Sequence, residues 1–253
     1  MSDLAMILCG GEGRRLRPLT YYIPKPMVPI GSSQKPLLEY IVKHLAYHGI
    51  RDIIFLVDYK AEQIINYFEN GSRFNIRIKY LRDDPKYKGT AGAIYNAYRK
   101  GLLKDQENVL VYYGDILSNI NISDLMDYHR RQKANATLAL SPNYTLRVGV
   151  AELEGTNVRK LIEKPPLGKP VTMAILALKT DSISYVKEIL ENKNEADIMG
   201  DLIPLLIERG KVKGYITNAF WYDIGSLEMY EKLDPKMVDE IFNYLRIGSI
   251  SVI

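Results

Sequence analysis

The chain has 253 residues, 47% of them hydrophobic and 25% charged, and its 34 Lys and Arg outnumber 30 Asp and Glu for a net charge of +4. That length holds one large α/β domain or two small ones, and the composition is that of a globular protein rather than a fibrous or disordered one. Basic residues alternate with acidic ones instead of gathering in a block, which argues against nucleic acid as the partner and leaves an anionic small molecule as a suitable one.

No apolar run is long enough to cross a bilayer, and Asp3 ahead of the first apolar stretch does not fit a secretory signal. The single Cys9 excludes an internal disulfide framework and suits a reducing compartment, so a cytoplasmic location without membrane association is expected.

Leu4–Leu8 reads as a buried first strand. Gly10, Gly11 and Gly13 follow at once, and glycines at a strand end let backbone N–H groups turn inward around an anion. Arg14, Arg15, Arg17 and Lys25 bring positive charge to the same place, a combination suited to a nucleoside triphosphate. The spacing lacks both the third glycine of the dinucleotide fingerprint and the Gly-Lys-Ser/Thr of a P-loop. Glycines also end strands for structural reasons alone, and basic runs are commonly solvated surface. This stretch by itself leaves both readings open.

A helix follows near Pro36–His48, with Leu37, Tyr40, Ile41 and Leu45 at helical spacing. Arg51–Val57 is the next strand, Ala61–Glu69 a helix and Ile76–Leu81 a strand. Gly89–Leu102 reads as a helix opening on Gly89-Thr90-Ala91-Gly92-Ala93, where free N–H groups meet a base or ribose, or where small residues simply pack on the sheet. Val109–Tyr113 is a buried strand that delivers Gly114-Asp115. Ser123 has the position of an N-cap for a helix to Gln132, and Ala136–Leu140 is a strand. Strand–helix alternation at this rhythm predicts a Rossmann-like α/β fold with a mostly parallel sheet flanked by helices. Ligands of such sheets bind beyond the carboxyl ends of the strands, where the glycine loop lies.

The second half changes character and reads as a smaller, substrate-facing lobe. Val148–Glu152 and Val158–Glu163 form a hairpin turning at Gly155-Thr156-Asn157, and Val171–Leu178 is a further strand. Helices at Ser182–Glu191 and Ile198–Glu208, a strand at Val212–Thr217 and a helix near Leu227–Leu233 complete it, while Met237–Ile253 shows no clear pattern. With no repeat and no low-complexity linker, one domain over 1–235 is expected, its halves meeting near 145, followed by a short tail over 236–253.

Two carboxylates carry the metal reading. Asp115 follows a strand, and Asp223 lies in Trp221-Tyr222-Asp223-Ile224-Gly225 just before a helix. Together they suit one Mg²⁺, which favours a few carboxylates plus substrate phosphates. Separately, Asp115 suits a turn and Asp223 a helix cap equally well. In Glu163-Lys164-Pro165, the proline holds Lys164 extended, so the lysine suits a phosphate and Glu163 sugar hydroxyls, or the two form a charged pair at a loop mouth. His44, His48 and His129 lack metal-ligand spacing.

Taken in order, Gly10–Thr20, Lys25-Pro26-Met27, Gly89–Ala93, Gly114-Asp115, Glu163-Lys164-Pro165 and Trp221–Gly225 resemble the sugar-1-phosphate nucleotidylyltransferases, and the resemblance runs to about Leu233. The nearest subgroup is similar to mannose-1-phosphate guanylyltransferases, with glucose-1-phosphate thymidylyl- and uridylyltransferases next. The resemblance implies in-line attack of a hexose-1-phosphate on the α-phosphorus of a bound nucleoside triphosphate, with pyrophosphate leaving. It assigns Arg15, Lys25 and Asp115 to catalysis, and Gly10, Gly11, Gly13, Arg14, Gly89 and Thr90 to the nucleotide. Gly149, Glu163, Lys164 and Thr172 fall to the sugar phosphate, and Asp115 with Asp223 to Mg²⁺. Family members commonly self-associate, which leaves a homo-oligomer open.

Three departures stand out. The family usually has Thr where this chain has Arg14. Its Asn-x-Gly after Glu-Lys-Pro is replaced by Thr172-Met173-Ala174, which bears on the choice of sugar. The carboxyl-terminal hexapeptide repeat of some relatives, a left-handed β-helix, is not expected here. The altered Thr172–Leu176 segment also admits a non-catalytic relative that binds a sugar nucleotide, and a non-sugar phosphate such as phosphocholine is a third substrate class.

Overall fold

Successive side chains of a strand point to opposite faces, and this rule splits the core in two. In the computed structural model, which describes residues 3–247, β1 (Leu4–Leu8) turns Ala5 and Ile7 to one side and Leu4 and Met6 to the other. Two short strands, β2 (Pro29–Ile30) and β3 (Lys35–Pro36), pair antiparallel and lead into α1 (Leu37–Tyr47). Then come β4 (Asp52–Val57), α2 (Ala61–Phe68), β5 (Arg77–Arg82), α3 (Gly89–Arg99) and β6 (Asn108–Tyr113). The pattern repeats through β7 (Ile116–Ser118), α4 (Ile122–Gln132) and β8 (Ala136–Ser141).

The second half adds the hairpin β9 (Val150–Glu154) and β10 (Asn157–Ile162), then the long β11 (Val171–Lys179). A 3-10 turn at Thr180–Tyr185 feeds α5 (Val186–Asn192), and a wide π turn at Ile198–Leu202 feeds α6 (Ile203–Arg209). β12 (Val212–Ile216), β13 (Trp221–Asp223), α7 (Leu227–Glu231) and α8 (Pro235–Ile241) close the described chain, with a last 3-10 turn at Asn243–Leu245.

The central sheet has seven strands in the order β12-β8-β11-β6-β1-β4-β5. All its neighbours pair parallel except β11, which runs antiparallel between β6 and β8. The expected mostly parallel α/β sheet is therefore present. One face packs Leu37, Ile41 and Leu45 of α1, Phe68 of α2 and Leu125 of α4 against Ile7, Phe55 and Tyr112. The opposite face packs Ile94 of α3, Ile189 of α5 and Leu206 of α6 against Met6, Leu56 and Val111.

Several expected boundaries move, each for a local reason. The cap of α4 is Asn121 rather than Ser123: the Asn121 side chain accepts the Asp124 N–H at 3.1 Å, and Ser123 already lies inside the helix. The hairpin turns on Gly155-Thr156 alone, with Gly155 at φ +59° and Asn157 already paired with Glu154. Asp197 accepts the Gly200 N–H at 2.7 Å and opens the π turn, so the helix expected from Ile198 is α-helical only from Ile203. The segment from Met237, which showed no pattern, holds most of α8, and Val238, Phe242 and Leu245 are buried in the first core. Residues 248–253 of that segment lie outside the described residues.

Candidate active site

The glycine loop leaves β1 with Gly10 and Gly11, then bends at Gly13, whose φ of +62° puts it in the left-handed region. A Cβ on Gly13 would stand 2.9 Å from Thr20 Cγ2 and 3.1 Å from Lys25 Cβ, so glycine lets the loop fold back on its own continuation. The Thr20 hydroxyl donates to the Gly13 carbonyl at 2.9 Å, and buried Leu16 anchors the turn between them. This closure carries Lys25 back under the end of β1.

Lys25 Nζ meets Asp115 Oδ2 at 2.5 Å, with both side chains largely withdrawn from solvent. Asp115 sits in the turn from β6 to β7, and its carbonyl accepts the Ile224 N–H at 3.0 Å. That bond, with the antiparallel pairing of β13 on β7, brings Asp223 beside it. Asp223 ends β13 and is not the cap of α7; Ser226 is, accepting the Met229 N–H. Burial raises the Asp223 carboxyl above its ordinary pKa, the Asp115 charge adds to the rise, and Lys25, Arg15 and Arg147 oppose it.

A cavity of about 380 Å³ opens at these strand ends, and Gly10, Gly11, Lys25, Gly89, Thr90 and Asp115 all line it. Gly89 has φ +83°, and a Cβ there would fall 2.3 Å from the Ala196 carbonyl oxygen; a Cβ on Gly92 would fall 2.3 Å from that of Tyr87. Both glycines therefore let the start of α3 press against backbone. The Thr90 hydroxyl is already engaged, donating to Asp197 Oδ2 at 2.7 Å and accepting the Ile198 N–H at 2.8 Å. It ties α3 to the π turn.

Arg14 is not brought to the cavity. Its guanidinium pairs with Glu12 at 2.7 Å on the exposed side of the loop. Arg15, its neighbour, faces solvent with its charge acting on Asp223. Gly13 shapes the loop without lining the cavity. The sugar-phosphate candidates gather around the hairpin: a Cβ on Gly149 would lie 3.1 Å from Glu163 Oε2, and Lys164 Nζ stands 3.9 Å from Glu163 Oε1. Lys164 is not extended as its proline neighbour predicts; its φ is +48°. Thr172 lies in an irregular stretch of β11, where its hydroxyl accepts the Ala174 N–H at 3.2 Å and Ala174 is held at φ +55°.

Reasoning from the sequence missed Arg147, whose charge reaches Asp223, Tyr222 and Glu228, and Asp83, which lines the cavity. Asp83 was legible in principle, as the first residue after a strand at the same sheet edge. Arg147 has no such signal. Cys9 also lines the cavity, but burial, with Asp115 and Asp83 nearby, raises its thiol far above the ordinary value, so it is no nucleophile.

The nucleotidyl transferase family pattern matches residues 4–240. The chain belongs to that family. Among its relatives, a UTP–glucose-1-phosphate uridylyltransferase of Synechocystis is 31% identical over 98% of this chain and 66% of its own length. A mannose-1-phosphate guanylyltransferase of Mycobacterium tuberculosis is 30% identical over 92% of this chain and 64% of its own length. A D-glycero-alpha-D-manno-heptose 1-phosphate guanylyltransferase of Aneurinibacillus thermoaerophilus is 32% identical over 92% of this chain and 97% of its own length. The chain thus spans about half to two thirds of several curated relatives it matches. The solved structure of HddC from Yersinia pseudotuberculosis shares the fold, with a TM-score of 0.70 at 24% identity over 93% of this chain and 99% of the other.

Proposed function

We propose that this chain transfers a nucleotidyl group from a nucleoside triphosphate to a hexose-1-phosphate, in the cytoplasm. An oxygen of the sugar phosphate attacks the α-phosphorus in line, the bond from that phosphorus to the bridging oxygen breaks, and pyrophosphate departs with the bonding electrons. The observation that carries the reading is the meeting of Lys25, Asp115 and Asp223 at the mouth of the glycine loop. The match of the nucleotidyl transferase family pattern over residues 4–240 supports it.

Gly10 and Gly11 turn backbone toward the polyphosphate, where a side chain would block approach. Lys25 supplies positive charge at the α-phosphate as the attacking oxygen nears it, and Arg15 holds the outer phosphates. On the other side Lys164 grips the sugar phosphate, Glu163 accepts a sugar hydroxyl, and Gly149 lets the ring lie against backbone. Thr172 replaces the family's asparagine with a shorter side chain. With both reactants held, catalysis is positioning and charge stabilisation, with no covalent enzyme intermediate.

Asp115 and Asp223 fit a divalent cation: Asp115 Oδ1 is buried without a hydrogen-bond partner, and Asp223 faces a like charge that a cation would relieve. Mg²⁺ is commonly held by one or two carboxylates together with water and substrate phosphates, and this pair would supply the carboxylates. When bound, Mg²⁺ neutralises charge on the polyphosphate. The test is pyrophosphate release from a matrix of four triphosphates against several hexose-1-phosphates. Release from at least one pair supports the reading; none from any pair overturns it.

A further inference from the structure

The hairpin of β9 and β10 has one apolar face, and the single chain leaves it bare. Register sets Leu153 opposite Val158 and Ala151 opposite Leu161, so these four side chains share that face. Gly149 continues it at the root, where a Cβ would stand 3.5 Å from Leu161 Cδ1 and 3.1 Å from Glu163 Oε2. The other face carries Val150 opposite Ile162 at its root, then Glu152 opposite Lys160 and Glu154 opposite Asn157 toward the turn. Antiparallel strands that alternate in this way do so where one face is buried and the other is wet.

Here both faces are wet. All of β9 is exposed, as is all of β10 but Ile162, and neither strand contributes a side chain to the two cores. Leu153, Val158 and Leu161 are 64%, 62% and 68% exposed. Among the described residues, five of the eleven exposed large apolar or aromatic side chains lie between Val148 and Leu161. A two-stranded hairpin alone is marginal in water and gains lasting order from something packed on its apolar face.

We infer that a second copy of this chain covers this face, hairpin on hairpin. The charges narrow the choice of partner. Each one is answered within the hairpin: Glu154 pairs with Arg159, Lys160 Nζ lies 4.0 Å from Glu152 Oε1, and Lys164 Nζ lies 3.9 Å from Glu163 Oε1. A chain of net charge +4 thus has a stretch, 148–164, with three acidic and three basic side chains, where two copies meet without repulsion. A charged partner finds no unanswered charge to read there. An apolar patch is complementary to itself, which is the requirement of a two-fold interface. The contact is through the face and not the edge, because Arg159 bulges out of β10 and charged side chains flank it, devices that block the addition of a strand.

The face is small, about 17 Å along five residues and about 10 Å across two strands. Its apolar side chains supply on the order of 300 Å² from each copy, against the ~800 Å² per partner of a standard interface. The dimer is therefore weak and concentration-dependent. Gly149 and Glu163 stand at the root of the same face, so the second copy steadies the strands that carry two of the sugar-phosphate candidates.

The test is sedimentation velocity of the wild-type chain from about 1 to 500 μM, where reversible monomer–dimer exchange is expected. Leu153→Glu and Val158→Glu each bury an unpaired charge in the contact and should weaken the dimer at least about tenfold. Both positions are exposed in the single chain, so the fold is expected to survive, and far-ultraviolet circular dichroism checks it. Glu152→Gln, on the opposite face, should leave association unchanged. Hydrogen exchange of the β9 and β10 amides should slow as the wild-type concentration rises, and should not in Leu153→Glu. A dimer that Leu153→Glu and Val158→Glu both keep lies elsewhere and overturns the inference. A monomer at every concentration overturns it too, and binding of that monomer to phosphatidylcholine vesicles would give the face to lipid. Neither result touches the nucleotidyl-transfer reading, which pyrophosphate release decides.

Discussion

His44 ties the end of the chain to its first helix, and lowering the pH should break that tie by a calculable amount. The ring is 1% exposed, its Nε2 donates to the Ile120 carbonyl at 2.8 Å, and its Nδ1 accepts from the Tyr244 hydroxyl at 2.8 Å. Both nitrogens are satisfied only in the neutral form. Burial, with His48 next to it, lowers the pKa from 6.5 to about 4, while the bond to Ile120 acts the other way. A proton therefore binds the unfolded chain more tightly than the folded one. The neutral ring's contribution to stability is complete above pH 6.5 and is lost as pH falls toward 4. Linkage over that window gives about 3 kcal/mol of lost unfolding free energy at pH 4, a large part of the 5–15 kcal/mol typical of a folded domain. His44→Gln keeps the donor to Ile120 but cannot titrate. Urea unfolding from pH 7.5 to 4 should show the wild type losing about 3 kcal/mol more than this variant. Parallel curves for the two proteins would refute the assignment.

Gly89→Ala should cost about 2–5 kcal/mol, because the new methyl adds left-handed strain and meets the Ala196 carbonyl; an unchanged urea midpoint would contradict it. Ala174→Gly should stabilise by roughly 0.5–1 kcal/mol, since relief at φ +55° exceeds the added freedom of the unfolded chain; thermal unfolding checks the sign. Asp115→Asn should cut pyrophosphate release at least about a hundredfold while the near-ultraviolet circular dichroism stays native; retained turnover would remove Asp115 from the chemistry.

Much of the first half was legible because its strands are continuous apolar runs buried on both faces, and its helices carry one apolar stripe. The carboxylates at strand ends were legible for the same reason: Asp115 follows a buried strand, and topology alone puts that end beside Gly10. What could not be read depends on long-range contact. Nothing local marks Arg14 as drawn outward by Glu12, or Thr90 as claimed by Asp197 across 107 positions. The C-terminal helix was hidden because its apolar residues are few, and they are buried by contact with the first core rather than by their own periodicity. Lys164 shows a local rule losing to its setting: the restriction before proline favours extended backbone, yet the turn out of the hairpin holds it at positive φ.

The contacts of the last helices reach back almost to the start. Tyr230 donates to the Pro29 carbonyl, Asp239 accepts from the Ser32 N–H, and Tyr244 donates to His44, spanning 201, 207 and 200 positions. During synthesis, then, the amino-terminal helix emerges from the ribosome long before the residues that cover it. The nascent polypeptide must carry an uncovered flank until residues 230–244 follow, so that a pause or truncation ahead of residue 235 leaves an intermediate for chaperones to shield.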